Sequence, residues 1–188
     1  MRCFVALDLP RPVKNHLHKV TAPLRERFDL KWVAPDQMHV TLVFAGDVEE
    51  RAARELGHAV QEVALPPLSL SLASFGVFPP KGLPRVIWAG LGGDVEALRA
   101  LHEELAARAE QIGVPREKRP FSPHVTVARL KSAFSALALL DRVHELSAEL
   151  KKKPFAPTGL TLYRSTLTPG GPRHEALVTR DPVTRDRG

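Results

Sequence analysis

The chain is poor in cysteine: Cys3 is the only one among its 188 residues. No internal disulfide can form, and no cysteine cluster can hold zinc. Long apolar runs are also missing, and no stretch approaches the roughly 20 apolar residues that a membrane span needs. The opening MRCFVALDLP is a poor secretory leader, because its apolar run is short, Asp8 interrupts it and no small-residue cleavage site follows. These absences predict a cytoplasmic protein with no membrane partner. Acidic charge is in deficit, with 21 Asp and Glu against 27 Lys and Arg, for a net charge of +6. A pI near 9.8 favours polyanionic partners such as nucleic acid, although a merely solvated basic surface has the same composition.

What is present is an ordinary globular balance, 44% hydrophobic and 26% charged, with 17 prolines that imply many short connections. The length suits one compact domain, 1–188, built of two lobes. RCFVALDL predicts a strand closed by Pro10. Residues 12 to about 28 predict a helix with Val13, Leu17, Val20 and Leu24 on one face, kinked or stopped early by Pro23. KWV and HVTLVF read as extended, and EERAARELGHAVQEVA as a helix. LSLSLASFGVF and RVIWAGL read as strands around the loop PPKGLP. The pattern then restarts. Residues 94 to 112 predict a helix ended by Gly113, the basic loop VPREKRPFSP follows, then HVTVARL, another helix, and the strands GLTLYRSTL and HEALVTR. The tail, about 181–188, is charged and aperiodic and is expected to fray.

HVTL at 39–42 and HVTV at 124–127 hold the same place in two matching successions: helix, H-V-T strand, helix, strand, strand. The order of elements argues for an internal duplication, with the first strand left over. On a strand, His39 and Thr41 point one way and Val40 and Leu42 the other; His124 and Thr126 part from Val125 and Val127 in the same manner. Each motif therefore offers an imidazole and a hydroxyl about 7 Å apart on one face. Facing each other across a pseudo-two-fold groove, the two pairs suit displacement at a phosphodiester. One histidine serves as base, the other as acid, and the threonines donate to the non-bridging oxygens. Alternation alone does not say which histidine is which. The arrangement demands no metal and no cofactor.

In a chain of this length, two H-x-T-x motifs resemble the two-histidine phosphoesterase superfamily, and within it the RNA 2',3'-cyclic phosphodiesterases, also called 2'-5' RNA ligases. KWVAPDQMHVTLVFAGDV resembles the family's first motif, FPPKGLPRVIWAG its mid-chain strand pair, and FSPHVTVARL its second motif. The resemblance implies a bilobal α+β fold with two duplicated antiparallel sheets, helices on the outer faces and a central groove. It implies hydrolysis of an RNA 2',3'-cyclic phosphate end to a 2'-phosphate without metal or nucleotide, with reversible 2'-5' ligation in some members, by a protein expected to be a monomer. It makes His39 the proton donor and His124 the acceptor, with Thr41 and Thr126 on the phosphate. The family often has an aromatic after the C-terminal Gly-Pro, where this chain has His174.

Arg129 and Phe44 are candidate substrate-binding residues. Strict alternation sends Arg129 away from His124 unless a bulge intervenes, and it sends Phe44 into the core. Lys81, Arg85, Arg116, Lys118 and Arg119 lie in or beside loops where they would track RNA or simply be solvated. His16, His18, His58, His102 and His144 fall on predicted helices without an i, i+4 histidine partner, so none suggests a metal site. Three other functions compete: a non-catalytic RNA- or phosphate-binding protein, an enzyme of this superfamily acting on a small cyclic nucleotide, and a metallohydrolase ligated by His39 and His124.

Overall fold

The computed structural model describes residues 1–131 and 136–182. In chain order the elements are β1 (Arg2–Asp8), α1 (Arg11–Val20), α2 (Ala22–Arg27), β2 (Lys31–Trp32), β3 (His39–Asp47), α3 (Glu50–Glu62), β4 (Leu70–Phe78), β5 (Val86–Gly93), α4 (Val95–Gln111), β6 (His124–Arg129), α5 (Ala136–Leu146), β7 (Gly159–Thr168) and β8 (Gly171–Arg180). The expected helix over 12–28 is two helices. Pro23 has no N–H to continue the ladder, so α1 ends at Val20. Thr21 fills the break, its hydroxyl donating to the Leu17 carbonyl at 2.8 Å. The tail expected to fray lies outside the described residues from position 183 on.

Both predicted half-chain successions exist, but the sheets do not follow them. One four-stranded sheet runs β3-β1-β7-β8 and the other β2-β6-β5-β4, with every pairing antiparallel. The N-terminal strand is not left over. It pairs with β3 as β5 pairs with β6. The repeat that the hydrogen bonds respect is β1-α1-β3-α3-β4 against β5-α4-β6-α5-β7, with β8 added at the end. The third strand of each unit crosses to the other unit's sheet, because the short β4–β5 hairpin keeps its two strands as neighbours.

Alternation along the motif strands fixes the layering. Val40, Leu42, Val125 and Val127 are buried, as are Val5 and Leu7 on β1 and Leu160 and Leu162 on β7. Each such side chain contributes about 1.5–3 kcal/mol by leaving water. Helices α3 and α4 cover the first sheet, packing on β7–β8 and on β3, while α5 packs on β4 of the second. The opposite faces are left to His39, Thr41, His124 and Thr126, all partly buried. Strands β3 and β6 approach each other where the two sheets meet.

Candidate functional site

Each motif histidine is the first residue of its strand, and each is anchored in the same way. His39 Nδ1 lies 2.7 Å from the carbonyl of Gln37, and His124 Nδ1 lies 2.7 Å from the carbonyl of Ser122. A carbonyl only accepts, so Nδ1 carries the proton in both rings. Nε2 of the neutral ring is then left as the acceptor. In His39 that nitrogen is 3.1 Å from Thr41 Oγ1, so the hydroxyl donates to it. Among the described residues, His124 Nε2 has no such partner. Both anchoring carbonyls sit two residues ahead of the histidine, in the 3-10 turn Pro35–Gln37 on one side and in the loop before Pro123 on the other.

Burial disfavours a charge on either ring. His39 is lowered from 6.5 to about 4, first by desolvation, then by the positive charges of His174, Lys14 and His124, with the Gln37 bond opposing. His124 is also lowered, by desolvation first and by Arg129, against the Ser122 bond and Glu117. A charge on His124 is thus felt at His39, which brings both motifs into one electrostatic site. Both rings are neutral at pH 7 in the unliganded protein.

The ladders explain what lies beyond the motifs. In the β1–β3 pairing Val5 faces Val43 and Ala6 faces Thr41, so Leu42 is an extra residue. In the β5–β6 pairing Ile87 faces Ala128 and Trp88 faces Thr126, so Val127 is extra. Each bulge falls at the fourth motif position and reverses the alternation after it. Leu42 with Val43, and Val127 with Ala128, are consecutive buried pairs, after which Phe44 and Arg129 turn back to the histidine face. The condition set for Arg129 is therefore met, and its charge bears on His124. The core position expected for Phe44 is not observed. The residue is 39% exposed, with the Arg2 guanidinium 5.1 Å from the ring centroid.

Aromatic rings bed both imidazoles, and sequence reasoning had not singled them out. Phe4 stacks on His39 at 4.8 Å and on Tyr163 at 5.3 Å. Tyr163 donates to Asp8 at 2.5 Å, which, after desolvation, helps push the phenol above its ordinary range. On the other side Phe78 meets His124 edge-on at 5.1 Å, and Trp88 lies 6.3 Å from it. A Cβ on Gly76 would overlap the Trp88 ring, so glycine there is what lets the indole lie flat. Two signals were available: Phe4 and Trp88 stand in strands beside the motif strands, and Gly76 and Gly90 flank the indole on either neighbouring position.

The outlying basic residues divide. Arg116 is engaged by Glu103 at 2.8 Å and Glu110 at 3.0 Å, so it is not available to track a polyanion. Lys81, Arg85, Lys118 and Arg119 are exposed and make no ion pair among the described residues. The helical histidines are structural where they are bonded. His102 Nδ1 donates to the Leu42 carbonyl at 2.8 Å while its ring stacks on Phe121, and His16 Nε2 accepts from the Lys151 amide. A cavity of about 450 Å³ lined by Pro66, Pro67, Phe155 and Pro157 includes no motif residue; one of about 110 Å³ borders Leu42, Phe44 and Phe121. Among the described residues no group of three or more His, Cys, Asp or Glu could hold a metal ion.

The sequence profile of the 2'-5' RNA ligase superfamily matches residues 9–168. The RNA 2',3'-cyclic phosphodiesterase of Thermus thermophilus is 34% identical over 185 residues, 94% of this chain and 88% of the relative. That of Thermotoga maritima is 33% identical over 182 residues, 94% and 93% of the two chains. The crystal structure of TT0787 of Thermus thermophilus superposes with a TM-score of 0.78 at 29% identity, covering 96% of this chain and 97% of that one. Escherichia coli LigT complexed with 3'-AMP gives 0.76 at 25% identity, covering 97% and 98%.

Proposed function

Because the chain belongs to the 2'-5' RNA ligase superfamily, we propose that it is a metal-independent RNA 2',3'-cyclic phosphodiesterase with His39 and His124 as its acid–base pair. Relatives at 33% and 34% identity carry that name. Water attacks phosphorus in line with the P–O3' bond. His124 Nε2 takes the water proton as the new P–O bond forms, and His39 Nε2 gives its proton to O3' as that bond breaks, leaving a 2'-phosphate and a 3'-hydroxyl. Thr41 and Thr126 donate to the non-bridging oxygens, Arg129 balances their charge and Phe44 takes the base. The protein works as a single two-lobed domain, a monomer with no cofactor. Replacing the attacking water by an RNA 5'-hydroxyl gives 2'-5' ligation by the same proton transfers.

The observation that carries this reading is the matched anchoring of the two imidazoles, each with Nδ1 spent on a carbonyl two residues back and Nε2 left for proton transfer. Burial lowers both imidazoles, so the free pair takes up a proton only in acid. An anionic phosphate between them offsets the burial of His39 and draws the proton to the donor. The test is turnover of an RNA ending in a 2',3'-cyclic phosphate, with and without chelator. Turnover unaffected by chelator supports the reading. Binding without turnover sinks it in favour of a phosphate-binding protein, and loss of turnover with chelator sinks it in favour of a metallohydrolase.

A further inference from the structure

A third imidazole stands beside the motif pair. His174, on β8, meets His39 edge-on with ring centroids 5.4 Å apart and meets Phe4 edge-on at 4.9 Å. Its hairpin is tied to the turn that anchors His39. Gln37 Nε2 donates to the Pro172 carbonyl at 2.7 Å, while the Gln37 carbonyl takes His39 Nδ1. Among the described residues neither ring nitrogen of His174 has a hydrogen-bond partner. The groups around it leave it unneutralised. From β1 it faces Phe4, from β3 His39, and from β7 Tyr163, whose hydroxyl is spent on Asp8. Its strand neighbour Glu175 is paired with Arg164, and the Lys14 charge of α1 bears on His39.

We propose that His174 is a second anion contact on the His39 side of the site, which as an imidazolium favours a dianionic phosphomonoester over the monoanionic cyclic diester. This rests on the phosphodiesterase reading above, and it extends that reading to product release. The cyclic substrate carries one negative charge. The 2'-phosphate product carries up to two, its second ionisation lying near 6. Around pH 6, where imidazolium and dianion coexist, the cation therefore holds the product more than the substrate, and release quickens as pH rises and the imidazolium is lost. Two imidazoles with centroids 5.4 Å apart can both reach the oxygens of one tetrahedral anion.

The test uses inorganic sulfate, a dianion throughout the range, so that the probe does not titrate. Its binding to the full chain is measured by calorimetry from pH 5 to 8 in the wild type, His174→Phe and His174→Gln. The two variants bind sulfate about tenfold more weakly than the wild type at pH 5, and the ratio approaches one at pH 8. A ratio that does not change with pH overturns the proposal. In the wild type alone, imidazole NMR should show the His174 pKa rising on saturation with sulfate, and an unmoved His174 overturns the proposal without relying on a variant's folding. Neither readout needs turnover. A protein that binds sulfate as stated but opens no cyclic phosphate refutes the phosphodiesterase reading and leaves the anion contact standing.

Discussion

Leu42 and Val127 occupy equivalent places in two strands: each is the unpaired residue of a bulge at the fourth position of an H-x-T-x motif. The duplication thus extends to an irregularity of the backbone. Each bulge aims a different side chain at the histidine face, an aromatic after Leu42 and a cation after Val127, which makes a symmetric frame chemically one-sided.

Phe44→Ala should separate the two placements of that ring. Removing a core phenylalanine costs about 3–5 kcal/mol, whereas an exposed one costs roughly 0.5 kcal/mol or less. With Phe44 39% exposed, denaturation should show a near-wild-type midpoint, while KM for an RNA end rises. Arg129→Ala should lower kcat/KM by about 10- to 100-fold, the loss of one charged hydrogen bond. A strongly destabilised Phe44→Ala, or an Arg129→Ala variant with full activity, would contradict the orientation given by the bulges.

The order and type of elements were legible from periodicity, and so was the strand face that His39, Thr41, His124 and Thr126 share, opposite the buried valines and leucine. The sheet assignment was not, because strand exchange between units depends on pairings that no local pattern encodes. Phe44 and Arg129 show the limit most clearly. Counting by two fails wherever one residue is added to a ladder, and neither Leu42 nor Val127 differs in type from an ordinary strand residue. In sequence Arg116 resembles its neighbours Lys118 and Arg119; only the fold sets the glutamates of α4 beside it.

Stability should depend on pH through His39. Its folded pKa of about 4 lies below the ordinary 6.5, so the unfolded chain binds more protons between those values. Stability is then full above pH 6.5 and is lost as pH falls towards 4, by about 3 kcal/mol. Urea denaturation of wild type and His39→Gln across this range checks it, and the variant should show the shallower dependence. Parallel curves would mean that His39 is not buried as a neutral ring.

The rate should follow the same groups. In the proposed mechanism one histidine is protonated and the other neutral, which predicts a bell-shaped kcat/KM. Both free-protein values are lowered, which places its optimum below pH 6.5. A bound phosphate favours the imidazolium, so the kcat optimum lies at higher pH. A kcat/KM that rises steadily from pH 5 to 9 would exclude opposite roles for the two rings.

Gly76→Ala should act at a distance of one side chain. The added methyl overlaps the Trp88 ring, which lies against Phe78 and near His124. Overpacking of this kind costs about 1–3 kcal/mol. Both the thermal midpoint and kcat should fall, and a variant unchanged in both would show that the indole has room to move.

Salt dependence should distinguish the basic residues. If Lys118 and Arg119 meet the phosphates of an RNA chain, replacing either by alanine reduces the salt slope of oligomer binding by about 0.7 per phosphate released. Arg116→Ala should leave the slope unchanged, since its guanidinium is held by Glu103 and Glu110. Equal slopes for all three variants and the wild type would make the +6 charge a matter of solubility alone.

The most direct measurement is single-turnover cleavage of an RNA oligomer ending in a 2',3'-cyclic phosphate by wild type, His39→Ala and His124→Ala. If the two motif histidines carry the proton transfers, each folded variant should lose about 10²- to 10⁴-fold in rate. The wild-type product should be a 2'-phosphate. A folded variant of either histidine that keeps a near-wild-type rate would contradict the paired-imidazole mechanism.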